Sequence, residues 1–327
     1  MRILITGGAG YIGSHVAHKL IDSNHNVFIV DDLSTGKKIL IPKKAKFENL
    51  NINNIEKIET IIKNNNFDAL MHFAGFIKVE ESIKFPKKYF ENNTENSIRL
   101  FDTCIKNNLK NIIFSSTAAI YGNNNEYLIS ENAELNPLNP YGKSKQLTEE
   151  YLIKNKKNLS YVILRYFNVA GADPGLRSGL IAEKPTHLIK IASEVAIKKR
   201  EKVIIFGNDY NTNDGTAVRD YIHVSDLAEI HSRTLDFLLE KKESQIFNCG
   251  YGKGYSVKEV LDTFNRIHKE KIKIEYGPRR EGDAAVLVSS IDKLNSMISW
   301  KPKYNKLELI IKSSIDWELK IKNEKLS

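Results

Sequence analysis

The chain has 327 residues, 41% of them hydrophobic and 27% charged, the balance of an ordinary globular protein with a substantial core. Its formal charge of +9 comes from lysines scattered among asparagine and isoleucine, with no interleaved aromatic and basic strip, so a nucleic-acid partner is not expected. The two cysteines, Cys104 and Cys249, lack the spacing of a zinc site or a disulfide framework, and no apolar run reaches the roughly 18 residues that span a bilayer.

Met1-Arg2 leads directly into a short apolar strand, Arg2–Thr6, so no signal peptide is read. A cytoplasmic protein without a membrane partner is expected. The strand runs into Gly7-Gly8-Ala9-Gly10-Tyr11-Ile12-Gly13, where Gly7, Gly10 and Gly13 recur at every third position. A glycine turn between a strand and a helix lets backbone N–H groups and the helix N-terminus face a pyrophosphate. Residues 11–23 follow with helical apolar spacing through Ile12, Val16 and Leu20, and a second strand at 27–30 ends at Asp31. A carboxylate there accepts the hydroxyls of an adenosine ribose and repels a 2′-phosphate, so NAD is favoured over NADP.

Further strands at 69–73 and 111–115 lack polar alternation, as parallel strands covered on both faces do. Strands alternating with amphipathic helices imply an α/β fold built on a Rossmann-type doubly wound parallel sheet. The run Ser115-Ser116-Thr117-Ala118-Ala119-Ile120-Tyr121-Gly122 follows a strand end, where ligands gather in such sheets. Thr117 can donate and accept one proton there. Tyr141 and Lys145 stand at i, i+4 behind Pro140, which suits a helix start. A phenol of pKa about 10 is brought toward neutrality by a nearby lysine cation and a positive nicotinamide, which makes Tyr141 a usable base. A Thr–Tyr–Lys set joined to a dinucleotide turn narrows the chemistry to redox.

Beyond Gly171 the texture changes. Residues 171–185 are rich in Gly, Pro and charge and read as a loop, 187–200 return to helical spacing, and Val203–Phe206 and 272–276 are strand-like. The expected organisation is an NAD-binding domain over 1–170, with a segment near 217–240 returning to it. A smaller α/β substrate domain is expected over 171–327. His223 and His231 have no carboxylate or cysteine at ligand spacing, so no metal is expected.

Several segments carry a specific resemblance: 5–13, His72-Phe73-Ala74-Gly75, 115–122, 141–145, Arg165-Tyr166-Phe167-Asn168, 206–219 with Asp220-Tyr221-Ile222-His223-Val224, and 278–283. On these the chain resembles the extended short-chain dehydrogenase/reductases and, among them, the UDP-glucose 4-epimerases. The resemblance implies that NAD stays bound while Tyr141 takes the sugar 4-OH proton, directly or through Thr117, as C4 gives up hydride. The 4-keto sugar then turns over and regains hydride on its other face. Lys145 would lower the phenol pKa and hydrogen-bond the nicotinamide ribose. Further NAD contacts are implied for Gly7, Gly10, Tyr11, Ile12, Gly13, Asp31, Asn51, Ile52, Phe73, Ala74, Gly75, Asn92, Ser115 and Phe167. The UDP-sugar would be held by Thr117, Asn168, His187, Leu188, Ile204, Phe206, Arg219, Tyr221, Arg280, Asp283 and Leu287. A homodimer through helices near 92–107 and 141–156 is also implied.

The chain departs from the family pattern at four positions. Asn51 stands where an Asp near adenine is typical, Ile77 where a Lys is frequent, and His187 where many members carry Asn. Leu287 replaces the bulky Tyr of epimerases restricted to plain hexoses. A shorter side chain is expected to admit a 2-acetamido group, so that UDP-GlcNAc and UDP-GalNAc are interconverted too. A nucleotide-sugar 4,6-dehydratase or decarboxylase on the same fold is the rival. A dehydratase typically needs extra acidic groups beside Thr117, where this chain has Ala118, Ala119 and Ile120. A NAD-sensing regulator would have no need of Tyr141 and Lys145.

Overall fold

The computed structural model describes residues 1–124, 126–268 and 271–324. Among these, seven parallel strands form the main sheet, in the order Gln245–Cys249, Ser160–Tyr166, Asn111–Thr117, Ala69–His72, Arg2–Thr6, Asn26–Asp31 and Lys46–Asn49. Strand order reverses between Arg2–Thr6 and Ala69–His72, which opens a crevice at their carboxyl ends. This is the Rossmann-type doubly wound arrangement expected from the alternating pattern.

The apolar runs are continuous because both faces of the sheet are covered. Ile3 and Ile5 point into one core with Val16, Leu20, Leu227 and Leu235, and Leu4 points into the other with Ile58, Leu100, Phe101 and Leu152. The period of two along one strand thus feeds two helical layers. Helix Val224–Lys241 packs on helix Tyr11–Asp22, joined at its surface by Lys19 and Glu229 at 2.6 Å. Strand Gln245–Cys249 then adds to the sheet edge beside Ser160–Tyr166.

A second sheet runs Gly254–Ser256, Val218–His223, Val286–Ser289, Leu128–Ile129, and Asn168–Ala170 also pairs with Val218–His223. It lays a piece of the N-terminal half beside pieces of the C-terminal half. Val203–Phe206 pairs in parallel with Ile274–Gly277. The helix expected over 187–200 is Leu188–Ala196, stopped before Lys198, whose φ of +59° is left-handed. A further core gathers Ile189, Val203, Ile205, Leu261, Phe264 and Ile311. No helix among the described residues is long and apolar enough to cross a membrane.

Candidate functional site

The chain leaves Arg2–Thr6 through Gly7, whose φ of +74° is left-handed. A Cβ at Gly7 would lie 2.5 Å from the Ala74 backbone nitrogen, and one at Gly13 would lie 2.3 Å from the Gly7 carbonyl oxygen. Helix Tyr11–Asp22 and the loop Phe73-Ala74-Gly75 therefore close directly onto the turn. Gly10 has no side chain with which to cap that helix, so its first-turn N–H groups, through Tyr11, Ile12 and Gly13, are left to an external acceptor.

Asp31 is buried at the end of its strand. It accepts the Ala9 N–H at 2.9 Å on one oxygen and the Leu33 N–H at 2.8 Å on the other. Burial raises its pKa while both backbone donors pull it down. The carboxylate thus also braces the glycine turn, and each oxygen keeps a lone pair for a ribose hydroxyl. Asn51 donates to Asp32 at 2.5 Å and accepts the Asn53 N–H at 2.9 Å, beside buried Ile52. An aspartate at 51 would set a second carboxylate against Asp32; the amide instead makes a bond. The turn, the uncapped helix and the partly satisfied carboxylate form a cradle that fits a dinucleotide.

Across the crevice, the Phe73 N–H donates to the Thr6 carbonyl at 2.9 Å and the Phe73 ring lies 5.0 Å from His231. His72 is a buried strut, hydrogen-bonded to Thr6 at 2.6 Å and Ser97 at 2.8 Å, and burial pushes its imidazole down to about 3. Residues Phe90–Glu95 form a π-helix, a local widening common at functional sites. Asn92 donates to the Asn93 side-chain Oδ1 at 2.9 Å, and the Asn93 side chain brackets Phe76 by accepting its N–H at 2.8 Å and donating to its carbonyl at 2.9 Å. Asn92 thus reaches the site through Asn93, which sequence reasoning missed.

Helix Pro140–Lys154 begins where Asn139 accepts the Gly142 N–H at 2.9 Å, with Pro140 in the first turn. A Cβ at Gly142 would meet the Ala119 carbonyl at 2.7 Å, so the helix seats on the turn after Asn111–Thr117. Tyr141 and Thr117 share a hydrogen bond, and Thr117 also accepts the Ala119 N–H at 3.1 Å. Lys145 is 3% exposed. Its ammonium donates to the Ser115 carbonyl at 2.9 Å and lies 4.9 Å from the Phe114 ring centre. A Cβ at Gly75 would sit 3.4 Å from it.

Burial lowers Lys145 to about 8, against the pull of Glu149 upward. Burial raises the Tyr141 phenol, and the Thr117 hydrogen bond lowers it. Lys145 is aimed at a backbone carbonyl, so Thr117 is the chain's own lever on the phenol.

On the opposite wall, Arg219 and Leu287 are register partners on adjacent parallel strands. Arg219 donates to the Val218 carbonyl at 2.9 Å and lies 3.9 Å from Asp283. The Arg280 guanidinium stacks 3.8 Å over the Phe206 ring, with its Nε 3.5 Å from Glu80 of the facing lobe. Leu287 packs with Ala118, Ile120, Tyr121 and Phe167, which joins this wall to the turn bearing Thr117. Phe167, expected against the cofactor, is buried in that cluster. Asn168 pairs with Tyr221 across strands, and both line a small cavity with Tyr11, His187 and Leu188. The Tyr11 hydroxyl donates to the Gly171 carbonyl at 2.7 Å. Ile204 stands apart from this assembly, exposed on the outer face of its strand between buried Val203 and Ile205.

The pattern of the NAD dependent epimerase/dehydratase family matches residues 3–250. The chain belongs to that family. It is 44% identical to the UDP-glucose 4-epimerase of Azospirillum brasilense over 319 residues, 97% of this chain and 92% of that protein. Among solved structures, the UDP-Glc/GlcNAc 4-epimerase of Campylobacter jejuni is 44% identical with a TM-score of 0.84, covering 98% of this chain and 99% of that one. The UDP-glucose 4-epimerase of Bifidobacterium longum, in complex with NAD+ and UDP, is 33% identical with a TM-score of 0.93, covering 99% of each chain. For a member of this family, the geometry supplies a dinucleotide cradle, a Thr–Tyr proton pair and a buried cation in one crevice.

Proposed function

We propose that the chain interconverts UDP-glucose and UDP-galactose by epimerisation at C4, with NAD retained throughout. Family membership and similarity to 4-epimerases over nearly the whole chain support it. One observation carries it: Thr117, Tyr141 and Lys145 meet at the carboxyl end of the sheet, where the Gly75 loop brings the glycine turn beside Lys145.

The glycine turn with Asp31 would hold NAD, which would supply a reversible hydride acceptor for the sugar C4. Tyr141 takes the 4-OH proton, directly or through Thr117, and returns it at the end. Burial keeps water from competing for that proton. Lys145 would hold the cofactor's ribose and supplies a buried positive charge one helical turn from Tyr141. Arg219 and Arg280 clamp the diphosphate by forked hydrogen bonds, which leaves the sugar free to turn. In this reading, residues 1–170 with the returning helix and strand hold NAD, and 171–327 hold the UDP-sugar. Residues 325–327 lie outside the described residues.

The shorter Leu287 supports acceptance of UDP-GlcNAc and UDP-GalNAc, as does similarity to an enzyme named for both sugars. A homodimer through Asn96–Lys106 and Pro140–Lys154 is part of the same proposal. Tyr151 donates to Asp102 between these helices and fixes them as one face. Buried free thiols at Cys104 and Cys249 suit a cytoplasmic enzyme.

Incubating the purified chain with UDP-galactose, and separately with UDP-GalNAc, without added NAD tests this. Product separation should show UDP-glucose and UDP-GlcNAc. A 4-keto-6-deoxy product, or no conversion of UDP-galactose, overturns the epimerase reading.

A further inference from the structure

The helix bearing Tyr141 and Lys145 rests on a buried charge pair that the mechanism above does not use. Glu149 lies one turn beyond Lys145 and is 1% exposed. Arg165 grips it bidentately, with Nη2 donating to Oε2 at 2.7 Å and Nε lying 3.2 Å from both oxygens. The Ser116 hydroxyl donates to the same carboxylate. Arg165 in turn donates to the Tyr121 hydroxyl at 2.8 Å and the Glu131 carbonyl at 3.0 Å, and Tyr121 donates to Asn248 at 2.7 Å.

An ion pair this deep contributes little net stability compared with apolar packing, so its value lies in what it fixes. Ser116 and Arg165 face each other in register on adjacent strands. Ser116 also stands between Ser115, whose carbonyl receives Lys145, and Thr117, whose hydroxyl meets Tyr141. One carboxylate therefore ties the helix to the middle of the three residues that hold both reacting side chains. A small slide of the helix would loosen both contacts together.

The geometry points to Glu149, locked by Arg165, as the positioning residue that registers the Tyr141–Lys145 helix on strand Asn111–Thr117 and sets a carboxylate one turn from Lys145. The inference rests on the proposed epimerase reading and deepens it. The titratable group set against Lys145 from the adjacent strand is His72, which burial and the ammonium together keep neutral, while Glu149 favours the ammonium from its own helix. The Phe114 ring and Ser115 carbonyl complete the surroundings. Around Glu149 stand Arg165, Tyr121 and Tyr161.

The test is Glu149→Gln in the full-length protein, a change that keeps shape and an acceptor oxygen. Expected are a kcat for UDP-galactose about tenfold lower or more, an unchanged KM and unchanged bound NAD. The alkaline limb of the kcat profile should move to lower pH, because the group that raises Lys145 is gone. Lysine NMR titration of 13C-labelled protein should report the same fall directly. Arg165→Lys keeps a positive charge opposite Glu149 but loses the fork, so it should keep the normal limb while lowering kcat. The double variant Glu149→Gln/Arg165→Met removes both charges and should fold, yet keep the displaced limb. An active wild type whose Glu149→Gln form keeps kcat, limb and lysine titration sinks the positioning role. So does a lower kcat that only tracks the folded fraction. An inactive wild type sinks the epimerase reading instead, and the NMR titration still tests the coupling.

Discussion

The Lys145 ammonium donates to the Ser115 carbonyl at 2.9 Å while Tyr141, one helical turn earlier, hydrogen-bonds the Thr117 side chain. Two residues of one helix thus grip two alternate positions of one strand. The phenol is tuned by the hydroxyl and the cation is held by the backbone.

Tyr141→Phe should lower kcat by about 10²–10⁴-fold while leaving bound NAD in place. Thr117→Val should lower kcat, and Thr117→Ser should restore it, because only the hydroxyl is needed. Steady-state rates with cofactor content measured on the same samples check both. Full activity in Tyr141→Phe would remove the phenol from the reaction.

The alkaline side of the pH profile belongs to Lys145. Burial holds it at about 8, so it is charged below that pH and neutral above. The rate should climb with the phenolate fraction of Tyr141, whose pKa burial keeps above its ordinary range, and level off as pH passes the Lys145 value, so the alkaline limb is a bend at about 8. Lys145→Met should be slow and lack the alkaline limb. A wild-type rate still climbing well above this pH would contradict the assignment.

Leu287→Tyr should restrict the sugar pocket. The larger ring, on the wall shared with Arg219 and Phe167, is expected to cut UDP-GalNAc turnover by about tenfold or more while sparing UDP-galactose. Competition between the two substrates in one tube measures the ratio. Equal losses for both sugars would show that this wall does not read the 2-substituent.

Arg280 faces a competing anion. Its Nε lies 3.5 Å from the exposed Glu80 carboxylate, which a diphosphate must displace. Exposed ion pairs contribute about 0–1 kcal/mol, so Glu80→Gln should tighten UDP binding by no more than about fivefold. High salt should erase the difference. Calorimetric titration with UDP at two ionic strengths checks it, and weaker binding in the variant would mean that Glu80 supports the site.

Acid should unfold the chain through its buried histidines. His72 and His223 are held down to about 3, and His15 and His231 to about 4, each mainly by burial. Their folded values lie below the unfolded 6.5, so the unfolded chain binds more protons as pH drops. Their contribution is fully present above that pH and erodes below it, by about 1.4 kcal/mol per pH unit for each histidine. Urea midpoints should be level near neutrality and fall steeply toward pH 5. An unchanged midpoint there would show that these rings admit a proton without unfolding.

Local signals were the legible ones. The glycine turn, Asp31 at a strand end and Pro140 at a helix start each follow from steric or hydrogen-bonding rules spanning a few residues. The second sheet escaped notice in part because two of its strands are too short to show a period: Leu128–Ile129 has two residues and Asn168–Ala170 has three. The Glu149–Arg165 pair joins residues 16 positions apart and depends on the register between two parallel strands. Glu149 did stand at i+4 from Lys145, a faint cue to a shared helix face. The direction of the Lys145 ammonium is set by a carbonyl, a group that every residue carries, so no side-chain pattern announces it.

The most direct measurement follows a deuterium label. UDP-glucose carrying deuterium at C4, converted by the enzyme in ordinary water, should give UDP-galactose that keeps the label at C4, because hydride leaves and returns within one closed site. Loss of the deuterium to solvent would mean that C4 exchanges as a proton, and the redox account would be wrong.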